Sequence, residues 1–215
     1  MTREEILQIA KPVLFNAEMV KAILDGRKTV TRRVVKLPKY IKAQGDWLYT
    51  LYAEGTCYEN QHLEDIDMYL KKPCQPGDIL YVRETWAINP RPNMYGNYYY
   101  KANRYAVAPE GTKWKPSIHM PKKAARIFLK VKDVRVERLQ EINPEHIRRE
   151  GISLSVLPSE CKDQFNKFGA AHEFEEAKKN FAELWDSTIK KKDIGIYGWD
   201  ANPYVWVIEF EKMEV

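Results

Sequence analysis

Apolar side chains recur at helical spacing in several stretches of the chain. Residues three and four apart lie on one face of a helix, so this spacing predicts amphipathic helices over residues 2–9, 17–25 and 172–189. Residues that favour helix ends mark where helices begin or stop: Thr2, Asn16 and Asn143 as N-caps, Pro144 in a first turn, and Gly26 and Gly151 after a last turn. The last of these signals adds a short helix from residue 144 to about residue 150.

Runs of β-branched, aromatic and aliphatic residues predict strands between these helices. The clearest runs cover residues 13–15, 29–31, 79–82, 98–102, 127–139 and 204–210. Residues 36–75 are polar and poorly periodic, so we interpret them as an insertion with one or two short strands, of which residues 46–52 are the best candidate. Residues 88–97 are rich in proline and asparagine and predict a loop. Few helices among many strands predict an α+β fold: one domain over residues 1–215, with a mostly antiparallel β-barrel flanked by helices.

Composition narrows the choice of partners. The chain has 215 residues, enough for one domain with a real core, and a net charge of +5. This mild basic excess permits a phosphate-bearing partner, but it is far from that of a dedicated duplex-DNA-binding protein. The 13 tyrosines and 6 tryptophans suit core packing and also stacking on bases.

Cysteine and histidine are too sparse and scattered to predict a metal site. The three cysteines and four histidines show no ligand spacing, and we therefore expect no metal and no cofactor. An odd number of separated cysteines fits a reducing compartment, and the charged N-terminus lacks the apolar run of a signal peptide. No apolar stretch approaches membrane-spanning length. These features predict a cytoplasmic protein without a membrane partner.

The most informative segment is the basic run at residues 26–33, which follows the second predicted helix. It holds one lysine, three arginines and two threonines. Neighbouring guanidinium groups disfavour the protonated form of Lys28 and so favour a lowered pKa. A partly neutral lysine near the Thr31 hydroxyl has the chemistry of a Ser-Lys-type nucleophile pair. The alternative is a solvated basic turn.

Several segments together resemble the ASCH domain family, a branch of the PUA-like fold. They are residues 24–33, 76–86 and 204–210, and residues 114–121 and 199–203 are similar to the larger, phage- and prophage-associated branch of that family. The resemblance spans most of the chain and is weakest over residues 36–75 and 152–170. It implies a β-barrel with a cleft beside the Gly-x-Lys-x-x-Thr segment.

The resemblance also implies a chemistry. Some bacterial ASCH proteins are amidohydrolases that remove the acyl group from N(4)-acetylcytidine with a lysine, a threonine and a glutamate. By position these residues match Lys28, Thr31 and Glu150, with Glu145 and Glu84 as alternatives for the carboxylate. In this scheme Lys28 takes a proton from Thr31 or water and returns it to the leaving amine, while Glu150 orients Lys28 or carries a proton.

Six further residues are candidates for binding the substrate, because their side chains stack, donate or accept: Arg33, Arg83, Glu84, Trp86, Ser117 and His119. A carboxylate at position 84 accepts hydrogen bonds from the exocyclic amine of cytosine, or else it pairs with Arg33 or Arg83. Trp86 stacks on a base or packs in the core. Ser117 and His119 are alternatively a turn residue and a structural histidine.

The sequence therefore predicts a metal-free amidohydrolase with an N(4)-acylated cytidine or related modified nucleoside as its substrate. The alternatives are an RNA-binding ASCH module that reads a modified base without chemistry, and a ribonuclease.

Overall fold

The computed structural model of the chain describes residues 1–37, 41–44, 47–51, 57–62, 70, 72–93, 96–103, 108–152 and 167–215. Within these ranges the fold is α+β, as predicted. The strands are β1 (Lys11–Leu14), β2 (Val30–Val34), β3 (Ile41–Gln44), β4 (Trp47–Leu51), β5 (Cys57–His62), β6 (Ile79–Arg83), β7 (Trp86–Asn93), β8 (Gly96–Tyr100), β9 (Phe128–Arg138) and β10 (Tyr204–Met213). The helices are α1 (Arg3–Ile9), α2 (Ala17–Leu24), α3 (Pro144–Arg149), α4 (Lys167–Thr188) and α5 (Ile194–Tyr197).

A five-stranded sheet in the order β1-β6-β9-β10-β2 forms the centre of the fold. Strand β1 runs parallel to β6, and the other neighbours are antiparallel. Strands β3–β5 and β7–β8 form two smaller antiparallel sheets. The long pairing of β9 with β10 carries the functional segment, because β2 adds to the outer side of β10.

Local capping signals explain where the helices begin. The Thr2 side chain and Glu5 form a reciprocal capping box at the start of α1. The Asn16 and Asn143 side chains accept backbone N–H groups at the starts of α2 and α3. Gly26 ends the second helix with a φ of +74°, which an L-residue with a side chain rarely adopts. These predicted boundaries are confirmed.

The predicted loop at residues 88–97 is wrong, because β7 continues to Asn93 and pairs with β8. Prolines are tolerated here because the pairing is interrupted between Ile88 and Asn93, where the register shifts. In residues 36–75 the structure has three strands rather than one or two, and the strand expected at residues 46–52 is β4. The remaining part of that segment lies largely outside the described residues.

Both faces of the central sheet are covered by buried apolar side chains. On one face Phe15 and Val20 pack with Trp206, Ile208 and other sheet residues. On the other face the helix residues Phe181 and Trp185 pack with Val205 and Val207 of β10, as the helical spacing of α4 predicts. Helix α4 thereby lies beside the basic segment. None of the helices in the described part of the chain is both long and apolar enough to cross a bilayer.

The two outer strands of the central sheet approach each other without pairing. Arg33 on β2 donates a hydrogen bond of 2.8 Å to the carbonyl oxygen of Leu14 on β1. Among the described residues no strand ladder joins these edges, so the sheet is open there rather than a closed barrel. The Arg33 side chain spans the opening.

Helix α3 is pressed against the basic segment at Gly151, and this contact supplies a test of the packing. Gly151 has a φ of +89°, and a Cβ built there would lie 2.7 Å from the Cβ of Ala22 and 3.0 Å from that of Lys28. We expect Gly151→Ala to lower the free energy of unfolding by about 3 kcal/mol, the sum of backbone strain and overpacking. Chemical denaturation measures this loss.

Gly77→Ala is the matched control, since Gly77 has a φ of +91° and a Cβ there would meet nothing within 4 Å. The Gly77→Ala variant introduces backbone strain without overpacking, and we expect it to lower the free energy of unfolding by about 1 kcal/mol. Equal losses for the two variants would contradict the close packing of α3 on Lys28.

Candidate active site

The turn after α2 positions Lys28 by backbone hydrogen bonds. The carbonyl oxygen of Ala22 accepts the N–H groups of Arg27 and Lys28 at 2.9 and 3.0 Å. Lys28 then forms an isolated antiparallel bridge with Glu150 at the end of α3. The helix ends of α2 and α3 therefore meet at Lys28, and the chain enters β2 directly afterwards.

The Lys28 ammonium is fully buried and uses all three of its hydrogen-bond donors. Its Nζ atom lies 2.6 Å from Oε2 of Glu150, 3.0 Å from the Glu150 carbonyl oxygen and 2.8 Å from the Val30 carbonyl oxygen. The last bond holds Nζ at the peptide that joins Val30 to Thr31. Three acceptors match the three protons of an ammonium, so the geometry is that of a Lys28–Glu150 ion pair.

Burial is the main influence on the proton affinity of Lys28. Desolvation lowers the Lys28 pKa, the Glu150 carboxylate opposes that shift, and Arg33 and Arg32 add to it. The lowered pKa agrees with the sequence prediction, but its main cause does not. The neighbouring arginines contribute less than the removal of the ammonium from water.

Glu150 is shared between two buried cations. Its Oε1 atom accepts a hydrogen bond of 3.1 Å from Arg32, whose side chain is fully buried. Arg32 also donates to Glu137 at 3.1 Å and lies 3.3 Å from Nδ1 of His146. Glu150 and Glu137 together balance Lys28 and Arg32, which is the condition for burying such charges.

Thr31 lies on β2 next to these groups and lines a small cavity. The cavity has a volume of about 30 Å³, enough for about two water molecules. Its described walls are Met19, Thr31, Arg32, Arg33, Glu150, Phe181, Leu184, Trp185 and Thr188. Thr31 is buried. Glu150 therefore links the two other predicted residues, since it shares the cavity with Thr31 and contacts Lys28, which is not itself one of the described walls.

Arg33 stands at the other side of the same cavity. Its guanidinium carbon lies 5.3 Å from the centre of the Phe15 ring, and the Lys28 ammonium lies 5.7 Å from that centre. Two cations thus share one aromatic ring, a favourable arrangement for groups withdrawn from water. Of the six candidates for substrate binding, Arg33 is the one that lines the cavity beside Thr31.

Glu84 and Trp86 belong to a separate structural cluster. Both carboxylate oxygens of the buried Glu84 accept hydrogen bonds from Arg126, at 2.8 and 3.0 Å, so the expected pairing with Arg33 or Arg83 is wrong. Burial raises the Glu84 pKa against the effect of Arg126. Trp86 is buried and packs edge-on against Tyr98. Of the two roles considered for Trp86, the structure therefore shows packing in the core.

Arg83 contacts the segment that contains Ser117 and His119, away from Thr31. Arg83 donates a hydrogen bond to the Ile118 carbonyl oxygen in the short 3-10 helix of residues 117–119. His119 is exposed and Ser117 is half-buried. Neither these three residues nor Glu84 or Trp86 lines the cavity beside Thr31. The exposed Glu145 on α3 pairs weakly with Arg148 at 3.9 Å, so Glu150 is the carboxylate at Lys28.

Sequence reasoning missed three residues of this site. Arg32, Glu137 and His146 surround Glu150, but Glu137 is 105 positions from Arg32 in the chain. Arg32 stood within the basic segment without a role of its own. The alternation of side chains along β2 could have indicated a separate role for Arg32, because it places Arg32 on the opposite face of the strand from Thr31 and Arg33.

In the described ranges no three His, Cys, Asp or Glu side chains converge as a metal-binding group. Comparisons of the chain with known protein families, with curated proteins and with solved structures give no match in any of the three.

Proposed function

We propose that this protein is an amidohydrolase that removes the acyl group from N(4)-acylated cytidine or a related modified nucleoside, on an ASCH-type, PUA-like fold. The observation that carries the proposal is the buried Lys28–Glu150 pair, whose Glu150 lines the same small cavity as Thr31. A purely structural ion pair would not require a threonine hydroxyl next to a cavity that is large enough for water. The identity of the substrate rests on the ASCH resemblance.

The reaction follows from the proton positions. The Lys28–Glu150 pair loses one proton, and neutral Lys28 then accepts the hydroxyl proton of Thr31. The Thr31 oxygen bonds to the acyl carbon, and the resulting ammonium of Lys28 gives its proton to the cytosine nitrogen as the C–N bond breaks. Water attacks the acyl-threonine ester with Lys28 again as base, which releases the carboxylic acid and restores Thr31.

Arg32 supplies a donor for the negative charge that develops on the acyl oxygen. Its Nε atom is buried and has no hydrogen-bond partner among the described residues, and Arg32 lines the cavity with Thr31. Leaving a buried donor unpaired costs about 1–3 kcal/mol. Because Arg32 and Thr31 leave β2 on opposite faces, an oxyanion would meet this N–H at the edge of β2, where the cavity contacts both residues, and only during the reaction.

Substitutions of Lys28 and Thr31 test whether Lys28 acts by transferring a proton or only by its positive charge. Lys28→Ala and Lys28→Arg should each lower kcat for N(4)-acetylcytidine by about 10³-fold or more, because arginine keeps its charge and does not accept a proton. Thr31→Ala should do the same, and Thr31→Ser should retain part of the rate. Release of cytidine, followed by chromatography, measures turnover. Near-normal turnover by a folded Lys28→Arg variant would make Lys28 a substrate clamp instead of a base.

Two buried carboxylates provide the control for this experiment. Glu150 and Glu84 are both buried and both bound to cations, but only Glu150 contacts Lys28. Glu150→Gln should abolish turnover, whereas Glu84→Gln should lower thermal stability and leave kcat within about twofold, because it lies outside the reaction. Comparable losses of kcat in both variants would mean that general destabilisation explains them.

The pH dependence of turnover reports the protonation of Lys28. Neutral Lys28 is the reactive form, so kcat should rise with pH through its pKa and level off above it. Because burial lowers that pKa from 10.5, the midpoint should fall at a lower pH than for a free lysine. Initial rates between pH 5 and about 10 measure the profile. A rate that falls with rising pH over this range is incompatible with a lysine base.

A second candidate function, RNA binding, is favoured by one surface feature. Residues 111–124 contain no acidic side chain, and Lys113, Lys115, Trp114 and His119 are exposed there. Phosphate contacts and base stacking use such groups. Affinity for single-stranded RNA should fall at least about tenfold when salt is raised from 50 to 200 mM. Fluorescence anisotropy measures it, and absent or salt-insensitive binding removes this candidate.

A further inference from the structure

A second and much larger pocket opens next to the Thr31 cavity. Its volume is about 350 Å³, within the range of sites that hold small organic ligands. It lies between the unpaired edges of the central sheet, and its described walls are Lys11, Pro12, Val13, Leu14, Arg33, Pro73, Cys74, Leu80 and Ile208. The catalytic scheme above does not use this pocket.

The pocket and Thr31 lie on the same face of the sheet. Ile208 of the pocket wall is the cross-strand partner of Thr31 in the pairing of β10 with β2. Residues directly opposite each other project to the same face, with Cβ atoms about 5 Å apart. Arg33, two residues beyond Thr31, lines both the pocket and the cavity. Its side chain is therefore the described group that the two spaces share.

The walls of the pocket favour a neutral apolar ligand. Both cations at its rim already have partners, since Lys11 contacts Asp78 at 2.6 Å and Arg33 donates to Leu14. The remaining walls are aliphatic or proline side chains and the Cys74 thiol. Burial raises the pKa of that thiol to about 11, which keeps it uncharged. Most of the described wall therefore offers a ligand contact with uncharged groups.

The Thr31 cavity alone is too small for the proposed reaction. A volume of about 30 Å³ holds water but not an acyl group with its nucleobase. We infer that the 350 Å³ pocket binds a bulky apolar acyl group of the substrate, and that the Arg33 side chain is a gate that swings from Leu14 to join the pocket to Thr31. This inference rests on the proposed function, and it assigns the acyl side of the scissile bond to the pocket.

Few contacts hold the Arg33 side chain across the opening. One hydrogen bond of 2.8 Å to Leu14 and one ring contact with Phe15 hold it, and its bond to the Arg32 carbonyl is long, at 3.4 Å. The Arg33 side chain is only half-buried, so its charge reaches solvent when it turns outward. A substrate that fills the pocket replaces water along apolar walls, which offsets the lost contacts.

Two tryptophan substitutions test the pocket. Leu14, which lines it, and Leu24 on α2, which does not, are 43% and 39% exposed, so both sites tolerate a larger side chain. With N(4)-benzoylcytidine, Leu14→Trp should lower kcat/KM and the affinity measured by calorimetry by about tenfold, and Leu24→Trp should leave both within about twofold. With N(4)-acetylcytidine the loss for Leu14→Trp should be smaller, because the acetyl group fills little of the pocket.

Arg33→Ala tests the gate. Removing the side chain removes the closed state, so the KM for the benzoyl substrate should fall several-fold, and the KM for the acetyl substrate should fall less because its acyl group fills less of the pocket. Equal weakening of both substrates would overturn the gate and make Arg33 a clamp. Because calorimetry needs no turnover, benzoylcytidine that binds through Leu14 but is never hydrolysed supports the pocket and defeats the proposed reaction. Benzoylcytidine that does not bind, or that binds Leu14→Trp as well as the wild type, overturns the pocket.

Discussion

Burying the Lys28 ammonium is the constraint around which this end of the molecule is arranged. Removing an ammonium or a carboxylate from water costs several kcal/mol per ion, and good geometry on every donor is needed to offset it. The fold provides that geometry with a carboxylate, two backbone carbonyls and the face of Phe15. Glu150, which follows α3, supplies the carboxylate and one carbonyl, Val30 of β2 supplies the other carbonyl, and Phe15 follows β1. The elements α3, β1 and β2 must therefore all be in place before the charge is stabilised.

Further ion pairs next to this site continue across the central sheet. Arg135 contacts Asp133, Glu137 and Glu209, and Glu209 also accepts from Arg149 at the end of α3. Burial acts to raise the Glu209 pKa, but the hydrogen bonds from Arg149 and Arg135 lower it overall. His146 lies between the guanidinium groups of Arg32 and Arg135, and desolvation together with Arg32 lowers its pKa. Near pH 7 the Glu209 carboxylate is therefore ionised and the His146 ring is neutral, and the ion pairs of Glu209 hold the end of α3 on the sheet.

Local signals explain which parts of this arrangement were predictable. Asn16, Gly26 and Asn143 act within their own turns, so caps and stops can be read from a few neighbouring residues. The match of Lys28 with Glu150 came from the family resemblance, since 122 positions separate them. The partner of Glu84 was missed for the same reason of distance in the chain, and the loop assigned to residues 88–97 failed because prolines can occupy an irregular edge strand.

The size of the two cavities was beyond sequence reasoning. It depends on how α4 packs across β2 and on the gap between β1 and β2, and neither follows from the periodicity of a single segment. The residue types at the site could be predicted from the sequence, but the pairing and protonation of Lys28 could not. Lys28 was read as a lysine made partly neutral by arginines, and it is an ammonium held by Glu150.

The gap between β1 and β2 also bears on how the protein behaves in a crowded solution. Both strands have an outer row of peptide groups without a strand partner among the described residues, and such rows recruit strands from other molecules. Pro12 breaks the row of donors on β1, because it has no N–H group. Arg33 donates a hydrogen bond to the Leu14 carbonyl oxygen and places a positive charge between the edges of β1 and β2. The residues that shape the opening thus also protect the sheet against edge-to-edge aggregation.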